Sequence, residues 1–348
     1  MSTLPTTMKS WVGAGTGPPR GVLHLEVERP MPSVPLTGQI MVKVNYAALN
    51  PGDVKVMAMG VPFRSSFVPA MDFVGQVVQM AGDAHKTTVA KIRQGMIVAG
   101  TLPMVQSMWR GDGVLAEYVV VPAHAVVQVP DGLHDGPTAA GLLGVAGQTT
   151  AVLLRAASLR EGQRALVNGA SGGVGSVLVQ VLSHMGVHVT AICSAKNEDL
   201  VRRLGAEEVV DYKAYGSSLY QHLSSIAAKP AGKSFDAVFD LVGDRKLYTS
   251  SPSYLDRHGK FLDIEGGPFG MFKFDNWWPV WLGGTPRAFR PVFSYPSGQS
   301  AAEVVSWIEK GWIKEIVTDS VYPMEEAVLA YEKLATGRAA GKIYVKVA

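Results

Sequence analysis

The stretch that most constrains this chain is Ala165-Leu-Val-Asn-Gly-Ala-Ser-Gly-Gly-Val-Gly-Ser-Val-Leu-Val-Gln-Val-Leu182. A short apolar run turns through four glycines within seven residues and continues as apolar residues at helical spacing. Strand, turn and helix in that order make the start of a dinucleotide-binding unit in a Rossmann-type, doubly wound parallel sheet. Gly169, Gly172, Gly173 and Gly175 permit a tight turn, close approach of a diphosphate to the backbone, and close helix–strand packing. Ser171 and Val174 lie on the same turn, and the first amides of the helix point along the favourable end of its dipole. The spacing is G-x-x-G-x-x-G rather than the commoner G-x-G-x-x-G, and glycine-rich turns also serve as plain connections. The surrounding sequence has to decide.

At 348 residues the chain has room for two domains. With 47% hydrophobic and 18% charged residues it has the composition of an α/β globular protein rather than a disordered one. A net charge of +3, without a basic run interleaved with aromatics, argues against a nucleic-acid partner. The single cysteine, Cys193, excludes internal disulfides and a cysteine-built zinc site, and suits a reducing compartment. No apolar run reaches ~18 residues, so no membrane-spanning segment is expected. The first 25 residues carry Lys9 and Arg20 and no acid, as transit peptides do. Met8-Lys-Ser-Trp11 nevertheless reads as the approach to a first strand, so a cytoplasmic location is expected ahead of a mitochondrial one.

From Val22 to about Val129 the pattern is strand-rich. Gln39–Leu49, Asp72–Gln79, Gly95–Gly100 and Leu115–Val121 are strand candidates, with Pro, Gly and Asn between them, as in a partly open β-barrel with few helices. Past Pro137 helical segments alternate with short apolar strands at Arg164–Asn168, His188–Cys193, Val209–Asp211, Ala237–Leu241 and Lys260–Ile264. That alternation predicts the parallel sheet. Residues 266–298 read as irregular and aromatic, and the chain closes with helices at Ala301–Lys310 and Met324–Thr336 and a strand at Lys342–Val347. Seams at 130/131 and 299/300 would separate a β-rich domain, 1–130 and 300–348, from a nucleotide-binding domain, 131–299.

Five segments in this order resemble the motifs of one family. They are Asn50-Pro-Gly-Asp-Val-Lys55 (N-P-x-D-x-K), Pro69-Ala-Met-Asp-Phe-Val-Gly75 (P-G-x-D-x-x-G), Gly113-Val-Leu-Ala-Glu-Tyr-Val-Val-Val-Pro122 (G-x-x-A-E-Y-V-x-V-P), Ala146-Gly-Gln-Thr-Thr150 (A-G-x-T-A) and Gly337-Arg-Ala-Ala-Gly-Lys-Ile343 (G-x-x-x-G-K-I). Together with the glycine turn, they make the chain similar to medium-chain dehydrogenase/reductases, in the zinc-independent quinone oxidoreductase and enoyl reductase branch. The resemblance implies a GroES-like catalytic domain built from both chain ends, with the cofactor domain inserted between them. It also implies hydride transfer from a nicotinamide dinucleotide.

The second strand of the nucleotide-binding unit ends in Ser194-Ala-Lys-Asn197, without the carboxylate that would hold the ribose hydroxyls of NADH. Ser194 and Lys196 offer donors and positive charge for a 2′-phosphate. Tyr212 stands where related NADPH-dependent reductases place a phosphate-binding tyrosine. Singly, Ser194 is as well explained as a helix cap and Lys196 as a solvated charge; the three together, with the acid missing, favour NADPH. Gly243 and Gly266, after later strands, either give the nicotinamide room or are ordinary strand-end turns.

Zinc-dependent members of the family carry a catalytic Cys, a G-H-E motif and a four-cysteine loop; this chain has Asn50 and Met71-Asp72 there and no clustered cysteines. No metal is expected. What remains is hydride transfer to a quinone or to the C=C of a hydrophobic α,β-unsaturated carbonyl, with a hydrogen-bond or proton donor for the developing enolate. The resemblance makes Lys55 the candidate donor; read without it, Lys55 is a surface lysine after a turn. Asp72 either orients Lys55 or ends a strand, while Asn50 and Asp53 shape the loop. Some enoyl-thioester reductases of the branch have a tyrosine in G-x-Y, which Gly60-Val-Pro62 lacks; a non-reductive NADPH-binding role is therefore the competing reading. Cys193 reads as packing. Trp277, Trp278 and Trp281 either wall an apolar substrate pocket or make the contact of a homodimer.

Overall fold

The computed structural model describes residues 4–61, 64–82, 92–133, 136–228, 233–264, 278–293, 295 and 297–348. It divides into two compact units, one of Met1–Gln148, Tyr295–Ser306 and Val317–Ala348, the other of Thr149–Ser294 and Trp307–Ile316. Residues 131–148, placed by sequence beyond the first seam, thus group with the first unit. The helix Thr138–Leu142 explains this: Ala139, Ala140 and Leu142 are buried, and it packs on strands of that unit.

The first unit holds β1 (Thr7–Ala14), β2 (Leu23–Pro30), β3 (Gln39–Ala48), β4 (Ser66–Phe67), β5 (Asp72–Met80), β6 (Ile97–Thr101), β7 (Tyr118–Pro122) and β8 (Val126–Gln128). After the second unit's β9 to β14 it regains the chain with β15 (Thr318–Pro323) and β16 (Lys342–Lys346). β2, β1 and β4 form one small sheet; the larger runs β15-β16-β3-β5-β6-β8, with β7 also on β3. That path has two ends among the described residues, as a partly open barrel does. β3 is buried at six of its ten residues, and its pairing with β5 shifts register between Met41 and Val42 and between Val44 and Tyr46. Such irregularities bend a strand around the core, here Ile40, Val42, Phe73, Met57, Val121 and Ile343. The Trp11 indole donates to the Met324 carbonyl at 2.7 Å, fastening β1 to the C-terminal segment.

The second unit holds β9 (Arg164–Asn168), β10 (His188–Cys193), β11 (Glu208–Asp211), β12 (Phe235–Asp240), β13 (Leu255–Asp263) and β14 (Ala288–Pro291). All pairings are parallel, in the order β11-β10-β9-β12-β13-β14. This is the 3-2-1-4-5-6 order of the dinucleotide-binding fold. Ala165, Leu166, Val167, Ala237, Val238 and Phe239 are fully buried, as both-faces burial demands of central parallel strands. The first five strands overlap the runs the sequence predicts, with β12 starting at Phe235 and β13 at Leu255, ahead of the predicted Ala237 and Lys260. β14 lies in the stretch read as irregular, because Ala-Phe-Arg-Pro is short, polar-interrupted and proline-ended.

By length and composition alone Thr138–Ala157 could cross a bilayer. However, 78% of its apolar window is buried, which marks a core segment.

Candidate active site and cofactor cradle

In the second unit the site begins where β9 ends. Gly169 has φ +81°, a left-handed conformation, and a Cβ there would lie 2.9 Å from the Val242 side chain. Helix Gly173–His184 starts from Gly172, which has no side chain to cap it. The amides of Gly173, Val174 and Gly175 have no partner within the helix and open at the positive end of its dipole, at the carboxyl edge of the sheet. A Cβ on Gly175 would sit 2.3 Å from the Gly169 carbonyl oxygen and 2.7 Å from Ala170 Cα. Only glycine lets the helix abut the turn so closely. The result is a backbone cradle for an anion of diphosphate size.

Strand register brings the other candidates to the same edge. Ile192 and Asp240 both stand opposite Asn168, and Cys193 stands opposite Asp211. The turns carrying Ser171, Ser194 and Lys196, Tyr212, and Gly243 therefore leave neighbouring strands side by side. Ser194 is buried, whereas Lys196 and Tyr212 are exposed. Asp211 is a carboxylate close by, but it accepts the Lys213 amide at 3.0 Å and so caps the short helix Tyr212–Tyr215. The Lys213 ammonium lies 6.0 Å from the Tyr212 ring centre, adding a second positive charge beside Lys196's edge. Gly266 and Trp277 lie outside the described residues.

Two residues of this edge, Asn197 and Asp240, were given no role from sequence. Asn197 donates to the Ser171 hydroxyl at 2.9 Å and ties the glycine turn to the turn after β10. Asp240 accepts from the Asn168 side chain at 3.0 Å, from the amides of Val242 at 3.1 Å and Gly243 at 3.0 Å, and from Asp244 N at 2.6 Å. It fixes the turn that bears Gly243. Burial pushes the Asp240 carboxyl up to about 6, with the Val242 amide opposing and Asp263 adding to the rise. The available signal was a polar residue closing an otherwise apolar strand. Cys193 is buried and its thiol is pushed up to about 11, chiefly by burial, so it packs rather than reacts.

In the first unit, Lys55 is an exposed residue of helix Pro51–Met59, where the sequence suggested only a turn. Pro51 and Gly52 hide this helix, and its apolar residues form no clear stripe. A capping box closes its start: Asn50 is the cap, and the Asp53 carboxylate accepts the Asn50 amide at 2.9 Å. Asp53 is buried, and burial pushes its carboxyl up to about 7 against the Asn50 hydrogen bond.

Asp72 opens β5 and is fully buried. Its Oδ1 accepts from the Thr101 hydroxyl at 2.6 Å and the Val145 amide at 3.0 Å. Its Oδ2 accepts from Asn50 Nδ2 at 2.8 Å and from the Lys342 ammonium at 3.4 Å. Four donors fill the lone-pair sites of a carboxylate. Asp72 thus holds Asn50 and Lys342, and Lys55 stands one helical turn beyond that knot. Lys342 was visible in sequence only as part of a closing motif.

Two family models match the chain: "Alcohol dehydrogenase GroES-like domain" over residues 37–131 and "Zinc-binding dehydrogenase" over residues 204–345. The donor set does not fit the metal in that second description. Among the described residues no three His, Cys, Asp or Glu side chains gather, and the positive charge beside Asp72 is the Lys342 ammonium.

The chain is 34% identical to a trans-enoyl reductase of Aspergillus terreus, over 99% of this chain and 98% of that one. It is 32% identical to a medium chain reductase of Acremonium, over 99% of this chain and all of that one. It is 31% identical to the chloroplast envelope quinone oxidoreductase homolog of Arabidopsis thaliana, over 94% of each chain. The solved quinone oxidoreductase of Coxiella burnetii superposes with a TM-score of 0.82 at 25% identity, covering 98% of this chain and 99% of that one. With its 3-2-1-4-5-6 sheet, its glycine cradle and these full-length relatives, the chain belongs to the medium-chain dehydrogenase/reductase family, in the quinone oxidoreductase and enoyl reductase branch.

Proposed function

We propose that the protein is an NADPH-dependent reductase that delivers hydride to the C=C of a hydrophobic α,β-unsaturated carbonyl, or to a quinone, without a metal. The observation that carries this reading is the Gly169–Gly175 cradle with Ser194, Lys196 and Tyr212 on adjoining strand ends, and with β10 ending in no carboxylate. Relatives named trans-enoyl reductase and quinone oxidoreductase supply the two acceptor classes.

When bound, NADPH supplies the hydride. The first-turn amides of Gly173, Val174 and Gly175 neutralise the diphosphate, with Ser171 and Gly172 on the same turn. The Ser194 hydroxyl, the Lys196 ammonium and the Tyr212 phenol take the 2′-phosphate, with Lys213 adding charge. The Gly243 amide is pinned by Asp240 beside the glycine turn. Lys55 donates a proton or hydrogen bond to the oxygen on which enolate charge develops. Asp72 acts by holding the start of the helix that bears Lys55.

The test mixes pure protein and NADPH with a panel of enones and quinones and follows the nicotinamide absorbance. Consumption with at least one class is the expected result. Measurable NADPH binding with no consumption by any acceptor would sink the reductase reading and leave the non-reductive one. Full turnover by Lys55→Ala would remove that residue as the donor. An unchanged preference for NADPH over NADH in Lys196→Ala would contradict the cofactor assignment.

A reducing, cytoplasmic setting and a homodimer belong to the same proposal. The lone thiol is buried, and burial holds it in the protonated form. β14 ends the parallel sheet, so its outer edge is unpaired among the described residues. Trp278 and Trp281 are exposed in the preceding stretch, which supports a subunit contact over a pocket wall. Sedimentation velocity showing only monomer at micromolar concentration would exclude the dimer.

A further inference from the structure

Lys342 lies at the start of β16, nearly three hundred residues after Asn50, and its side chain is only 9% exposed. Its ammonium donates to the Leu49 carbonyl at 2.9 Å, to Asn50 Oδ1 at 2.8 Å and to Asp72 Oδ2 at 3.4 Å. Three N–H donors meet three acceptors, which is the full capacity of a lysine. All three acceptors lie where β3 ends, helix Pro51–Met59 begins and β5 starts. The Asn50 side chain is held from both ends, since its Nδ2 donates to the same Asp72 oxygen at 2.8 Å. Neither the amide nor the carboxylate can turn without stranding a buried charge.

We propose that Lys342 is a positioning residue of the reaction: it locks the Asn50 cap and so fixes the helix on which Lys55 presents its proton. The clamp joins Asn50-Pro-Gly-Asp-Val-Lys55 to Gly-Lys-Ile343, two segments with no link in sequence. A helix takes its direction from its first turn, and Lys55 falls in the turn that follows the clamped cap. A displacement of about 1 Å at a reacting group costs on the order of a hundredfold in rate. The proposal rests on the reading of Lys55 as the donor.

The experiment compares Lys342→Met with the double variant Asp72→Asn/Lys342→Met, each with and without Lys55→Ala. The double variant removes both charges together, so neither is left buried alone. Turnover is measured with NADPH and whichever enone or quinone the wild type reduces best, and NADPH affinity by fluorescence titration. The expected result is a fall in kcat of roughly thirtyfold or more, with KM and NADPH affinity within about twofold. Adding Lys55→Ala to either variant should lower kcat no further, because both changes remove one interaction. An unchanged kcat, losses that multiply fully with Lys55→Ala, or absence of folded protein in both backgrounds would overturn the positioning role. Full turnover by Lys55→Ala alone would instead overturn the reading of Lys55, whatever Lys342 does.

Discussion

Ala70 holds a left-handed backbone conformation, φ +65°, two residues before Asp72 and buried at 3% exposure. The family motif has glycine at this position of P-G-x-D. An L-residue in that conformation costs about 1–2 kcal/mol, and the segment is held by bonds from Leu115 N to Pro69 O at 3.1 Å, Val114 N to Ala70 O at 3.0 Å and Leu102 N to Met71 O at 2.8 Å. Glycine would relieve the strain while adding about 0.5–1 kcal/mol of chain entropy. The substitution also removes a methyl buried in the core, worth ~0.8 kcal/mol, so Ala70→Gly should change the stability of the first unit by less than about 1 kcal/mol, read as Tm; a loss of about 2 kcal/mol would show that Ala70 is unstrained. Asp53 offers a second test. Its folded value of about 7 lies above the ordinary 3.8, so the native state keeps a proton that the unfolded chain has released. The stability this contributes is complete below the unfolded value and is lost as pH rises through about 7. Asp53→Asn has no such titration. Its stability relative to wild type should rise by at least about 1 kcal/mol between about pH 5 and pH 8, since each tenfold difference in proton affinity between folded and unfolded chain is worth ~1.4 kcal/mol. A pH-independent difference in chemical denaturation would refute the buried, proton-holding carboxyl.

Among elements, the glycine turn was the most legible because its demands are local. Positive φ at Gly169 and the absence of a Cβ at Gly175 are imposed by the chain's own neighbouring backbone. Gly175→Ala should push the helix start off the turn, since its Cβ would overlap the Gly169 carbonyl at 2.3 Å. NADPH affinity should fall at least about tenfold, or ~1.4 kcal/mol, with helical content unchanged by circular dichroism; undiminished affinity would mean the diphosphate sits elsewhere. Helix Pro51–Met59 lies at the other extreme. Its apolar residues form no clear stripe, and its start is written in a cap whose partners, Asp72 and Lys342, come from distant strands. Sequence therefore placed Lys55 only through resemblance, and read its helix as a turn.

At the scale of the whole molecule, the name of one matching family model invites a zinc experiment. Exhaustive dialysis against a chelator should leave NADPH-dependent turnover within about 10–20% of the untreated enzyme, because the cation beside Asp72 is covalently part of the chain. Loss of activity restored by zinc would overturn the metal-free reading. The fold class was legible in sequence because periodicity and glycine demands are properties of the linear chain, whereas the family came from the resemblance of the ordered motifs. Equally legible were β9, β10 and β12, whose mostly apolar runs suit strands covered on both faces. Three things required the folded molecule. The contact of Thr138–Leu142 with the first unit depends on which surface its apolar face meets. The turn-fixing roles of Asn197 and Asp240 depend on which strand ends become neighbours. Lys342 meets Asn50 and Asp72 only because β16 pairs with β3 and β3 with β5. Sequence fixes what each segment prefers, but a buried charge acquires its partner from pairings between strands far apart in the chain.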